Sequence, residues 1–153
     1  MAYSDAMYKD DAFPMDLIDM PGHLLRRCHQ RSHDLFNEHL GEHGLTRQQA
    51  ALLITLQRLP RASVQDLTDE SGVDRNTLAG VVSRLVSRKL ISRKRSPDDA
   101  RAYELTVTRA GLALLVAMRP GIEKVQKLIL EPLPTADRAR FLAYLRIVAN
   151  LQK

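Results

Sequence analysis

Residues 63–87 read SVQDLTDESGVDRNTLAGVVSRLVS, and their spacing decides the fold. Ser63, with Asp66 three residues on, opens a short helix carrying Val64 and Leu67. Gly72 closes it with the left-handed cap that glycine tolerates. Asp74, only two residues beyond that glycine, caps the next helix, which starts at Arg75. Two short helices joined by a tight glycine turn are the sequence form of a helix-turn-helix, whose second helix enters the DNA major groove. At 100° per residue, Leu78, Val81, Val82 and Leu85 converge on one side as a core face. The opposite side collects Asn76, Ala79, Gly80, Ser83 and Ser87, with Arg84 at its margin. A solvated surface helix would carry Glu and Lys there. A small, uncharged face flanked by cations suits a helix laid against base edges with phosphates on both sides. The competing reading is an Ala/Ser-rich helix packed inside an oligomer.

Downstream, Ile91, Arg93 and Arg95 alternate on the way out, and Tyr103, Leu105 and Val107 alternate on the way back. Pro97-Asp98-Asp99 forms the turn between them. A basic two-stranded hairpin directly after a recognition helix is a wing. Arg101, just past its tip, is placed to enter a narrow, electronegative minor groove. Asp99 lies close enough to orient that guanidinium, the alternative being an exposed ion pair that contributes little. From Arg75 to Arg101 the chain carries net +6, while its total charge is +5, so the rest sums to −1. A basic block in an otherwise neutral chain is the footprint of a polyanion, unless it is only a solvated face. The candidate phosphate contacts are Arg75, Arg84, Arg88, Lys89 and Arg93. Ser63, at the opening of the motif, joins the candidate DNA contacts with Asn76, Thr77, Gly80 and Ser83.

Upstream, the first helical pattern runs from His23 to Gly41 and Gly44, with Leu25, Cys28, Ser32, Leu35, Phe36 and then His39 or Leu40 on one stripe. Thr46 and Gln49 make a capping box for a second helix with Leu52, Leu53, Leu56 and Leu59, stopped by Pro60. Thr108 caps a long fifth helix, which Pro120-Gly121 is expected to kink or divide. Pro132 and Pro134 end it, and Thr135 starts a last helix carrying Phe141, Leu142, Leu145, Val148, Ala149 and Leu151. Residues 1–20, with five acids and one base, read as a flexible arm. The remainder, 21–153, reads as one mainly α domain with a small β-wing. Its DNA-binding core spans about 46–107. The terminal helices, about 21–44 and 108–152, are apolar over more surface than one small winged module covers, which predicts a homodimer. Two-fold symmetry then places two recognition helices on a pseudo-palindromic operator, with half-sites about one helical turn apart.

Hydrophobic residues at 44% and charged residues at 27% exclude wholesale disorder, and no run reaches the length of a membrane span. One cysteine excludes an intramolecular disulfide framework. The acidic start is the wrong charge for a secretory or transit peptide, so a cytoplasmic protein is expected. No phosphate loop, nucleophile elbow or His-Glu hydrolase motif is present, so no catalytic residue and no cofactor is assigned.

The motifs Gly44-Leu45-Thr46-Arg47-Gln48-Gln49, Val73-Asp74-Arg75-Asn76-Thr77-Leu78, Ser83-Arg84-Leu85-Val86 and Pro97-Asp98-Asp99-Ala100-Arg101-Ala102 stand in this order, the last feeding Leu105-Thr106-Val107-Thr108-Arg109-Ala110-Gly111. Together they resemble the multiple-antibiotic-resistance regulators, the MarR family, over residues 23–152. The resemblance implies a homodimeric winged helix-turn-helix repressor, released from DNA when a small ligand sits between the dimer helices and the winged domain. It also implies DNA contact by Asn76, Thr77 and Arg84 and a wing pair of Asp99 and Arg101. Three residues depart from the family pattern. Lys89 stands where glycine is usual after the recognition helix, which predicts a different helix end and adds a cation beside the phosphates. Ala100 replaces a common arginine, and Val107 a usual leucine.

The run Pro21-Gly22-His23-Leu24-Leu25-Arg26-Arg27 looks like the first helix of the subgroup that regulates aromatic-acid catabolism. Arg26, Arg27 and His33 fall where the resemblance places the effector, and adjacent arginines suit an aromatic carboxylate or its CoA thioester. Solvated or dimer-paired arginines are the competing reading. His29/His33 and His39/His43 have i,i+4 spacing, but no Cys or Glu completes a four-ligand zinc set, so no metal ligands are assigned. Cys28 has Arg26, Arg27 and Arg31 nearby, yet its apolar stripe favours a buried, inert thiol over a redox sensor. The alternatives to a ligand-released, sequence-specific repressor are a zinc- or redox-responsive regulator of the same fold and a non-specific architectural DNA-binding protein.

Overall fold

Side-chain caps set most of the element boundaries. In the computed structural model, which describes residues 15–71, 73–97 and 103–151, Thr46 and Gln49 exchange the two bonds of a capping box and start α2, Arg47–Arg58. Ser63 accepts from the Asp66 backbone N–H at 3.1 Å, while the Asp66 carboxylate accepts from the Ser63 backbone and hydroxyl, opening α3, Val64–Ser71. Asp74 accepts from the Thr77 N–H at 2.9 Å and opens α4, Arg75–Ser87. Thr108 does the same for Gly111 at the start of α5, Arg109–Leu130. These four caps agree with the spacing expected from the sequence. Gly72, expected to close α3, lies outside the described residues.

α1, Pro21–Leu40, begins two residues earlier than the periodicity suggests, because Pro21 occupies the first turn, where its missing N–H costs nothing. Before it, within the stretch read as an arm, Leu17–Asp19 form a 3-10 turn capped by Asp16. Residues 1–14 lie outside the described ones. Pro120 does not divide α5, which runs through it unbroken. At its neighbour Gly121 a Cβ would lie 2.6 Å from Leu40 Cδ2 and 3.2 Å from the His39 carbonyl oxygen. α1 thus crosses α5 at near-backbone contact beside the proline, which itself is exposed. The last helix, α6, runs Thr135–Val148.

β1, Ile91–Arg95, and β2, Tyr103–Val107, pair antiparallel with Ile91 opposite Val107 and Arg95 opposite Tyr103. A bridge between Ala62 and Leu105 ties the α2–α3 loop to β2. Leu53, Leu56, Leu67, Leu85, Ile91 and Leu105 are fully buried where α2, α3, α4 and the hairpin converge. Each such side chain contributes about 1.5–3 kcal/mol on burial, so this cluster is the stable platform beneath α4. The expected core face of α4 is borne out, with Leu78, Val81, Val82 and Leu85 all buried.

The ends of the chain behave differently. On α1 only Phe36 and Leu40 are buried, and Cys28 is exposed, contrary to the expected buried thiol. The N-terminal half of α1 reaches past the core of its own chain, and Leu24 and Leu25 there stay 44% and 43% exposed. No residue of α6 is buried. Among the described residues, no helix is long and apolar enough to cross a membrane.

Candidate nucleic-acid interface and effector cleft

The face of α4 turned away from the core is open. Arg75, Asn76, Thr77, Ala79, Ser83, Arg84 and Ser87 are exposed, and Gly80 is half-buried. A Cβ added at Gly80 would meet nothing within 4 Å. Packing within the chain therefore does not require glycine there, although glycine weakens a helix by about 0.8–1 kcal/mol relative to alanine. At the front of the helix, hydrogen bonds from the Thr77 side chain and backbone hold the Asp74 carboxyl below the usual aspartate range. That charge locks the first turn in place.

The helix exit answers the question Lys89 raises. The Leu90 N–H bonds the Leu85 carbonyl, and the Lys89 N–H bonds the Val86 carbonyl. This is a Schellman end, with Lys89 in the left-handed region at φ 60°. The helix ends as it would with glycine, and a lysine bears the backbone strain. Buried Leu85 and Leu90 supply the apolar contact that accompanies the motif. Arg88 turns away from the groove-facing side and donates to the Gly44 carbonyl, fixing α4 to the α1–α2 connection.

In the wing, the Arg93 guanidinium stacks 3.9 Å from the Tyr103 ring centre, and Arg95 lies 5.8 Å from it. Arg61 forms a two-pronged ion pair with Glu104, at 2.8 and 3.2 Å. With the Ser96 hydroxyl, this pair holds the Glu104 carboxyl below its usual range. The start of β2, next to the hairpin turn, is thereby clamped to the loop before α3. Ser63, expected among the DNA contacts, has its hydroxyl engaged with Asp66. Asp99 and Arg101 lie outside the described residues.

A second region concerns small ligands. A polar cavity of about 510 Å³ lies between α1 and the start of α2, its walls including His29, His33, Asn37 and Arg47. An apolar cavity of about 120 Å³ lies behind it among Phe36, Leu40, Ala50, Ile54, Ile122 and Val125. Arg47 borders both. Its guanidinium donates to Ser32 Oγ at 3.0 Å and to the His29 ring at 3.1 Å. Of the three expected effector residues only His33, bonded to Asn37, joins these walls; Arg26 and Arg27 are exposed on α1 and line neither cavity. Arg47 supplies the cation instead. Its place directly after Thr46 in a capping box was the one sequence signal that puts it at the α1–α2 junction. Among the described residues, no group of three or more His, Cys, Asp or Glu is gathered for a metal.

Comparison with known proteins agrees with this architecture. Residues 43–102 match the sequence profile of the MarR family. The chain is 32% identical over 136 residues to the HTH-type transcriptional repressor NicR of Pseudomonas putida, covering 89% of this chain and 86% of NicR. It superimposes with a TM-score of 0.85 on the PcaV transcriptional regulator of Streptomyces coelicolor in complex with its natural ligand, at 34% identity, covering 91% of this chain and 98% of PcaV. The Bordetella bronchiseptica regulator BpsR, whose DNA binding is regulated by 6-hydroxynicotinic acid, gives the same TM-score at 30% identity, covering 92% of this chain and all of BpsR (100%).

Proposed function

The chain belongs to the MarR family of winged helix-turn-helix transcription regulators, and from that premise we propose that it is a homodimeric repressor released from its operator by an aromatic acid. In this reading α2 to β2, about 46–107, forms the DNA-binding core, and the helices of 21–44 and 108–152 form the dimer. It acts on DNA in the cytoplasm and catalyses no reaction. Asn76, Thr77, Gly80 and Ser83 face base edges. Arg75, Arg84, Lys89 and Arg93 neutralise phosphates, and the Asp99–Arg101 pair serves the minor groove. Arg88 and Ser63 act through the frame, given their bonds to Gly44 and Asp66.

The observation that carries the DNA reading is the exposed, small-sided face of α4, with open space beside Gly80 and no glutamate or aspartate along the helix. The effector reading is supported by Arg47, a cation set between a polar and an apolar cavity. A single-ring carboxylate would pair with the guanidinium and place its ring among Phe36, Leu40 and Ile54. BpsR, which answers to an aromatic acid, supports the same class. The two cavities suit a free acid better than its CoA thioester, whose bulk would extend beyond them.

Fluorescence anisotropy with the duplex upstream of the gene and a scrambled duplex, at two salt concentrations, tests this. The expected result is a preference of roughly a thousandfold or more, lost on adding 6-hydroxynicotinic acid or a related aromatic acid. Equal binding to both duplexes, collapsing together as salt rises, would replace it with the architectural reading. Release that survives Arg47→Met would overturn the assignment of the cleft.

A further inference from the structure

A third cavity, of about 300 Å³, lies on the other side of α2, between that helix and the α3–α4 pair. Its inner wall is Leu52, Leu67, Leu78 and Val81, all buried. Half-buried Val73 and the polar residues Gln48, Thr55 and Ser71 stand nearer its mouth. An apolar cavity on the order of 150 Å³ already accommodates benzene, so a space of this size exceeds an ordinary packing gap. We propose that it is a second effector site, taking a neutral single-ring molecule with one hydroxyl, and that its occupation weakens DNA binding.

The chemistry of the walls selects that class. No charged residue lines the cavity, in contrast to the cleft around Arg47. Thr55 donates its hydroxyl proton to the Ala51 carbonyl at 3.0 Å, and Ser71 donates its own to the Leu67 carbonyl at 2.6 Å. Both protons are committed to helix carbonyls and Ser71 Oγ also accepts from the Val73 N–H at 3.2 Å, so the two oxygens offer only their remaining lone pairs. A ligand O–H can donate to them; a carboxylate, which has no proton to give, meets repulsion and no cation. The Gln48 side chain, with no partner among the described residues, is left to complete a hydroxyl's bonds. Coupling to DNA follows from the far wall: Leu78 and Val81 belong to the buried face of the helix whose other face reads the groove, and exposed Thr77 borders both the cavity and that outer face. A ring seated behind them holds α4 at its present spacing from α2 and so opposes any shift of the helix on docking to DNA. By linkage, bound DNA must then disfavour the ring by the same factor.

The probe is phenol, titrated into protein with labelled Leu and Val methyl groups. Saturable shifts are expected at Leu52, Leu67, Val73, Leu78 and Val81, with a raised Kd for a duplex the parent binds specifically. Benzoate is expected to leave these methyls unmoved. Val73→Phe fills the mouth and should weaken phenol binding at least about tenfold, equal to about 1.4 kcal/mol. Gln48→Leu, at an exposed position, weakens it without altering the core, and Arg47→Met leaves the phenol response intact. Shifts that are dispersed or never saturate would overturn the proposal. So would parent-like phenol affinity in both Val73→Phe and Gln48→Leu, or phenol binding that leaves duplex affinity unchanged. Because phenol and the aromatic acid are read at different residues, loss of either response leaves the other informative.

Discussion

α4 and α6 are of nearly equal length, 13 and 14 residues, yet the chain treats them in opposite ways. α4 buries four apolar residues against its own chain and turns a polar face outward. α6 buries none and leaves Leu142, Tyr144, Ile147 and Val148 between 37% and 65% exposed. Leu112 and Val116 of α5 and Leu24 and Leu25 of α1 are exposed as well. One chain completes the DNA-reading platform by itself, while its terminal helices carry apolar surface of the kind that marks a protein interface. The recognition face is thus completed locally, while the terminal helices keep apolar surface open for a partner.

The sharpest way to break this contrast is at α6. Ile147→Asp places a charge in the apolar face and is expected to yield monomers in light scattering. Operator affinity should fall by about 100-fold or more, because two linked half-sites become one. An unchanged dimer would remove α6 from the interface. The next effect belongs to α4. Arg84→Ala should cost about 1–3 kcal/mol in operator binding while shifting stability by less than about 0.5 kcal/mol, read by anisotropy and urea melts.

Gly80→Ala sharpens the comparison further, since it separates folding from function at a single atom. With open space around the new Cβ, the variant should be more stable by about 0.5–1 kcal/mol. Operator affinity should fall by about tenfold if the helix lies close against the bases. Lys89→Gly has a smaller expected effect. It relieves left-handed strain of about 1–2 kcal/mol but adds freedom to the unfolded chain, for a net gain of roughly 0.5–1 kcal/mol. The salt slope of DNA binding should fall by about one if the lysine touches phosphate. Asp74→Asn keeps the cap bond but not the charge, so it should melt somewhat below the parent near neutrality and converge with it at low pH. The folded carboxyl has a lowered pKa, so its contribution is complete above the ordinary aspartate range and vanishes as pH falls through the lowered value. Only the parent should therefore show that acid loss.

What the sequence made legible was local. The caps at Thr46, Ser63, Asp74 and Thr108, the core face of α4 and the alternation of the hairpin each depend on residues a few positions apart. Features formed across elements were hidden. Arg47 gains its role from Ser32 and His29, 15 and 18 residues away on another helix. Pro120 sits in an unbroken helix, and the close crossing of α1 at its neighbour Gly121 joins residues more than 80 positions apart. Cys28 has an apolar stripe that its own chain does not cover. The exit at Lys89 was half visible: its cation was evident, but its left-handed backbone depends on a closing bond from Leu90 to Leu85.

The junction of α4, the wing and α5 has a consequence for how such a protein diversifies. The Thr108 backbone N–H and hydroxyl both bond the Leu90 carbonyl, and the hydroxyl also bonds that of Lys89. Gly111 passes so near the Leu90 carbonyl that a Cβ there would overlap it. The two ends of the hairpin are thus fastened together at its root. Insertions and substitutions at the tip leave the angle between α4 and α5 untouched. The sequence of the tip is therefore free to drift from one descendant to the next, while a change at Thr108 or Gly111 disturbs two helices at once.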